Sequence, residues 1–550
     1  MDEQRRVYLA IVLSVVVLMG WQMIMGPQVA PVVPPTEAPT EGISERPAMP
    51  SSDAAAVPGA DSAQPAELSA ATETSDVVAQ PVVETPAQDF NWADALTRQT
   101  WSNEGPSIKA LNLTQYTERD ENDVMNPVAL TDKLGRQARI NVFSDQVLLE
   151  KRWEVEETAT GPVLSATEPN GLTWRMELRR SNAAYATDVI LSVNNKATRP
   201  IVSEASLNLY IDYPEEGSIL SPPLMYRGLC YSSDDELVDA EKGDVEDGPL
   251  AMLPGNARWA AVDYQYFVVA AVAQENVVGG CKAQASQDAI ELTYQLLFET
   301  LPPGQTKTLR YTLYAGPKSS DELKAVSENL TFAIDYSIMG IPLGALARPM
   351  ILALNIFHDV SQSWGVAIIL LTLVVKLILF PVTYKSVVSM RKMQLLKPEL
   401  DKIKERFAND KEKQQMAQLK LMQEMGVNPL SGCLPMLLQM PVWFALYRAL
   451  WSAVDLYQQS FLWIPDLTQP ESFPILALLV GAVTAIQQKV TPTTGDPAQA
   501  RMMMIVMPIM LTIFMVALPS GLVFYILVNS LLTIVQQIVI NHRVPKPQPA

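Results

Sequence analysis

Lys376 lies inside the apolar run from Trp364 to Pro381, WGVAIILLTLVVKLILFP, where a lipid bilayer penalises a charge. A cation at such a position marks a functional site by default, normally with a counter-charge nearby. The other long apolar segments carry no Asp or Glu in their interiors, so an ion pair does not account for this lysine. Either water reaches the ammonium group, or the stem snorkels the head to an interface. Other chemistry is sparse. A nucleophile–base dyad of Ser520 with Lys376 is remote, because Ser520 falls in a short turn expected at the opposite membrane face. The three cysteines and the two histidines, His358 and His542, match no zinc-ligand spacing. GxSxG, HExxH, P-loop and Rossmann fingerprints are absent, which argues against the common enzyme classes. No catalytic residue, metal or cofactor is expected.

The elements that would position Lys376 follow from composition. Residues 26–335 hold 22 Lys+Arg against 46 Asp+Glu, and residues 385–550 hold 15 against 10. The acidic N-terminal part is therefore a poor partner for DNA or other nucleic acid, which needs clustered cations. Val7 to Met25, preceded by Arg5 and Arg6, is long enough to cross a bilayer. It reads as an uncleaved anchor, 1–26, because the rival cleavage site at Gln28-Val29-Ala30 is poor and is followed by Pro31. Residues 27–88, rich in Pro, Ala, Glu, Ser and Thr, read as a disordered tether.

From 89 to 334 the pattern alternates: Trp174, Met176 and Leu178; Leu207, Leu209 and Ile211; Leu309, Tyr311 and Leu313. Period two with frequent turn residues predicts an antiparallel β-sandwich, with docking or structure as its plainest role. Cys230 and Cys281 fall here, either as a disulfide outside the cytoplasm or, more simply, as two buried free thiols; Cys433 lies far away.

An interfacial amphipathic helix is expected within 335–359. A core of five spans follows over 360–545, at about 360–382, 430–451, 473–489, 502–518 and 520–540. The last two are joined by Pro519-Ser520-Gly521 as a tight hairpin. Met502, Met503, Met504, Met507, Met510 and Met515 crowd the fourth, as core filling or as an adaptable apolar surface. The segment 384–428 reads as a charged helical hairpin, supported by Lys397 with Asp401 and stopped at Gly426. Its ten Lys+Arg against six acids over 385–428 place it in the cytoplasm. That puts the β domain in the periplasm of a bacterium, and both termini, including the tail 546–550, in the cytoplasm. The positive charge either serves orientation alone or offers a landing site for RNA, a targeting factor or a nascent chain.

Several motifs then coincide. NPLSGCLPMLLQMPVWFALYRAL from Asn428, PTTGDP at 492–497 and PSGLVFYILVNSLLTIVQQ at 519–537 resemble the YidC family of membrane protein insertases. MDEQRR at the start, Trp21-Gln22 and Trp364-Gly365 are similar to its bacterial branch with a large periplasmic domain. The resemblance implies a multi-pass inner-membrane protein with six spans. Its core would form a hydrophilic groove open to cytoplasm and lipid, with a basic residue carried over onto Lys376. Relatives often have arginine there, so a bidentate grip on carboxylates is not implied. Thr372, one turn earlier, and Gln439 and Tyr525, polar members of apolar spans, are the further groove candidates; Ile526 stands where some relatives have a second tyrosine. The implied partners are nascent membrane proteins, the ribosome, the Sec translocon with its accessory subunits, the signal recognition particle pathway and the lipid bilayer. The rival reading is a secondary transporter using Lys376 as a counter-charge, which the lack of intramembrane carboxylates and of inverted repeats disfavours.

Overall fold

The computed structural model describes residues 85–119, 125–132, 134–149, 151–213, 226–274, 279–338, 341–426, 434–490 and 497–543. The expected anchor 1–26, nearly all of the tether, Cys433 and the tail 546–550 lie outside these residues. So do most of PTTGDP and the start of the Asn428 motif.

The alternating segments form two antiparallel sheets around one core. The first has ten strands and runs from Asp89–Ala93 at one edge to Leu250–Leu253 at the other; the second has nine and runs from Leu237–Ala240 to Glu154–Thr158. Trp174, Met176 and Leu178 point inward from one strand, and Leu207, Leu209 and Ile211 from another, as the period predicts. Central strands depart from alternation. Phe267–Ala273, FVVAAVA, is buried at all but its last position, because both of its faces are covered, and small alanines allow the close approach.

The cysteines require a correction. Cys230 and Cys281 are not free thiols but a disulfide across 51 residues. Cys230 lies in the nine-stranded sheet and Cys281 in the ten-stranded one, so the bond staples the two layers. A crosslink over a loop of this length stabilises by about 2–4 kcal/mol, and it fits a domain that matures in an oxidising compartment.

After Asp335 the chain turns helical. We label the helices α1 (Gly344–Ser361), α2 (Trp364–Leu395), α3 (Lys397–Arg406), α4 (Lys411–Glu424), α5 (Leu434–Ser452), α6 (Ile475–Val490), α7 (Pro497–Met515) and α8 (Ser520–Arg543). Among the described residues, Trp364–Met390 and Ser520–Ile540 are long and apolar enough to cross a membrane, while Ile475–Val490 and Met504–Met515 are shorter apolar helices.

Several expected boundaries shift. The amphipathic helix starts at Gly344 rather than near Ile338, and it buries Ala347, Met350 and Leu354 while exposing Leu352, Ile356 and Val360. The first core span does not stop near Pro381: α2 continues through it to Leu395. One proline removes one hydrogen bond and kinks a helix without obliging it to end. The charged hairpin appears as α3 and α4, with Asp410 accepting from the Lys413 N–H at the start of α4. Gly426 closes it at φ 62°, a left-handed stop that glycine adopts without a side-chain penalty. Asp401 pairs with Lys404 at 3.9 Å; the expected partner, Lys397, lies outside the described side chains. Gly365 also has a steric reason, since a Cβ there would come within 2.1 Å of the Phe461 ring.

Candidate functional site

The helical region inverts the rule of a water-soluble core. Leu377 and Ile378 on α2 are 63% and 68% exposed, and Ile509, Met510 and Ile513 on α7 are exposed as well. Apolar surface of this extent in water would be a liability; against lipid it is the expected exterior. Of the methionines, Met507 and Met510 face outward while Met515 packs in the core, so both roles are present on one helix.

Polar side chains gather on the inner side. Lys376 of α2 is half-buried, and its Nζ donates to Thr533 Oγ1 of α8 at 2.8 Å. Thr533 in turn donates to the Asn529 carbonyl at 2.7 Å. Gln439 of α5 donates through Nε2 to the Tyr525 hydroxyl at 2.9 Å. Thus α8 is the shared wall, touched by the lysine of α2 and by the glutamine of α5. The ammonium is held against α8, not drawn along its stem to a helix end, and its partner is a hydroxyl rather than a carboxylate.

Thr372 stands apart from this row. It is buried, and its hydroxyl donates to the Ile368 carbonyl at 2.6 Å, so its donor is spent on its own helix. Three residues that the sequence reading passed over belong with the row: Asn529, Thr533 and Gln536. With Tyr525 they recur at four, four and three residues along α8, which is one face of a helix. Read for polar rather than apolar periodicity, SGLVFYILVNSLLTIVQQ would have shown it. Asn529 Oδ1 and both polar atoms of the Gln536 side chain are buried with no hydrogen-bond partner among the described residues. A buried amide in that condition costs about 1–3 kcal/mol per group, so the stripe is under-satisfied. From Tyr525 to Gln536 it rises about 16 Å, more than half of a hydrocarbon core.

Known families match both halves of the chain. The YidC periplasmic domain matches residues 93–353, and the 60Kd inner membrane protein family matches 356–547. The membrane protein insertase YidC of Syntrophobacter fumaroxidans is 31% identical over 589 aligned positions, covering 98% of this chain and 99% of that protein. The chain belongs to the YidC family. The insertase of Anaeromyxobacter dehalogenans strain 2CP-1 is 40% identical, and there the match spans 61% of each protein. A crystal structure of YidC from Thermotoga maritima overlaps 83% of this chain and 99% of its own at 14% identity, with a TM-score of 0.31, too low to argue from. Family membership assigns the two-sheet region as a YidC periplasmic domain and makes the chain a relative of inner-membrane insertases rather than of an enzyme family.

Proposed function

We propose that this protein inserts and helps fold integral membrane proteins, using the polar row of α2, α5 and α8 as the surface that receives the client. The observation that carries the reading is the under-satisfied stripe of Asn529 and Gln536 next to Lys376. Polar atoms inside an apolar bundle need partners, and a hydrated groove supplies them between clients while a passing polar segment supplies them during insertion. Lys376 has three donors on a compact ammonium, which suits brief contact with acidic flanks of many sequences. Lys376, Gln439 and Tyr525 are the proposed groove residues, joined by Thr533; Thr372 serves as packing.

The driving force needs no cofactor. A client span with ten Leu or Ile residues gains roughly 3–6 kcal/mol on entering lipid, and the barrier is its polar flank. A wet, cationic recess part-way into the bilayer shortens the apolar distance that this flank must cross, and the span then leaves sideways past α2. The proposed topology is six spans with both termini cytoplasmic and the β domain periplasmic. The charged α3–α4 hairpin, with the basic end of α2 that leads into it, faces the ribosome or targeting factor, and Sec-linked use is open to the same groove.

Crosslinking ribosome-bound nascent membrane proteins to probes at Gln439, Tyr525 and Thr533, with a probe at Leu377 as the lipid-facing control, tests the groove. Strong labelling at the three and weak labelling at Leu377 is expected. Equal labelling everywhere would show that clients pass along the lipid face without entering the row.

A further inference from the structure

A chain of buried charges leaves the β domain and ends on α5. Lys318 Nζ contacts Asp263 Oδ1 at 2.9 Å, and Arg227 Nε donates to Asp263 Oδ2 at 3.0 Å. Arg227 Nη1 reaches Asp239 at 3.2 Å and Asp335 Oδ2 at 3.6 Å. The same oxygen of Asp335 accepts from Arg448 Nη2 of α5 at 2.7 Å. Three cations thus face three carboxylates, and all but Asp335 and the half-exposed Asp239 are almost fully buried. Burial pushes the Asp335 carboxyl up, but the charges of Arg448 and Arg227 and the Ser337 N–H outweigh it and hold the group below its ordinary range.

A second contact lies beside the first. Tyr457, on the loop after α5, seats its ring 5.2 Å from Tyr266, 5.5 Å from Phe267 and 6.1 Å from Tyr116. Its hydroxyl donates to the Thr117 carbonyl at 3.0 Å, and Gln458 Oε1 accepts from Thr117 Oγ1 at 2.9 Å. Gln265 Nε2 donates to the Trp451 carbonyl at the end of α5 at 3.4 Å. Val454 is counted in the core of the β domain itself.

We propose that this joint positions the groove: Asp335 and Arg448, backed by the Tyr457 plug, fix the outer end of α5 to the β domain and thereby hold Gln439 at the height of Tyr525. The proposal rests on the insertase reading given above. Gln439 and Arg448 are nine residues apart, or two and a half turns, so they leave opposite faces of α5 about 14 Å apart along its axis. One face addresses the groove and the other the periplasmic domain. A helix held at both places cannot slide by a turn without breaking one set of contacts. Buried ion pairs seldom add stability over an apolar substitute, but they accept far fewer geometries, which is the property a spacer needs. Asp335 and Arg448 are positioning residues; neither touches the client.

The test uses the full chain in membranes, with Thr117→Cys and Gln458→Cys introduced together to trap the docked state as a disulfide. In the parent the pair crosslinks at limiting oxidant. Arg448→Gln is expected to lower the docked fraction about tenfold or more, a factor worth about 1.4 kcal/mol, because it leaves Asp335 with only the longer contact to Arg227 and removes the ion pair that ties α5 to the β domain. Insertion of a short-tailed client falls with it, and Arg448→Lys restores much of both. Tyr457→Ala attacks the joint without stranding a charge, and it moves both readouts the same way. Persistence of the Cys230–Cys281 bond in each variant shows that the β domain has folded. Unchanged crosslinking in Arg448→Gln overturns the joint. A lost crosslink with full insertion overturns the positioning role, while failure of the parent to insert any client sinks the insertase reading and leaves the crosslink to judge the joint by itself.

Discussion

Two cations drawn out of water in this molecule have opposite surroundings. Arg227, in the β domain, lies among the three carboxylates of Asp263, Asp239 and Asp335, and their charges hold it protonated against the cost of burial. Lys376, among the helices, donates to one neutral hydroxyl, and the neighbouring helix carries buried amide atoms with no partner among the described residues. The first arrangement is closed, since each charge is answered within the fold, and a closed set makes structure. The second is open, and an open set is of use only to something that comes and goes, either water or a client chain. The contrast separates a buried charge that fixes the fold from one that awaits a partner.

The sharpest way to break the comparison is to remove the arginine. Arg227→Met leaves Asp263 with Lys318 alone and Asp335 with Arg448 alone, so that two cations face three carboxylates, and it is expected to destabilise the full chain by about 3–5 kcal/mol, read as a lowered midpoint in denaturant. A loss below about 1 kcal/mol would mean that water already serves these carboxylates, and that the β domain is as open as the groove. Next in size is the staple. Replacing both Cys230 and Cys281 by serine is expected to cost about 2–4 kcal/mol, while the parent resists thiol alkylation until it is both reduced and unfolded. Ready alkylation of Cys230 or Cys281 in the native protein, read with Cys433 replaced by serine, would show the crosslink to be absent.

Lys376→Leu is the opposite case. It strands no counter-charge, so stability holds or rises by up to about 1 kcal/mol, while insertion of clients with short acidic tails falls severalfold. Full insertion by that variant would reduce Lys376 to a residue that merely tolerates its place. The smallest effect concerns pH. Because Arg448 and Arg227 hold the folded Asp335 carboxyl below the ordinary carboxylate range, its contribution is complete above that range and is lost as pH falls through the folded pKa. The distance between spin labels at 117 and 458, a readout that does not depend on thiolate formation, should therefore hold level from about pH 8 to about pH 5 and lengthen only in stronger acid. A lengthening near neutrality would implicate another group.

Much of the β domain was legible because alternation is local: Trp174, Met176 and Leu178 are inward by period alone, and the structure places them so. Lys376 was legible for a related reason, as a charge in an apolar run stands out without any knowledge of neighbours. Thr533 and Asn529 were not, since a lone threonine or asparagine in an apolar helix is unremarkable until α2 and α5 are packed against it. Thr372 lies one turn from Lys376, as helical spacing gives, while its hydroxyl donates to a carbonyl of its own helix, a contact that spacing does not show. The cysteines were misjudged because 51 residues of separation say nothing about which strands of two sheets will face each other.

By itself, then, the sequence determined the division into an acidic two-sheet domain and an apolar helical region, the family, and the presence of one costly lysine. The division and the lysine are set by composition or by a periodicity of two to four residues, and the family by the resemblance of a few short motifs, all of which are read within a short window. Tertiary structure alone decided that Cys230 meets Cys281, that Lys376 rests on Thr533, and that Asp335 binds both Arg227 and Arg448. Those contacts join residues that lie from 51 to 157 positions apart. Electrostatic and hydrogen-bond energies at such sites depend on distances of a few ångströms, which only the packed chain defines.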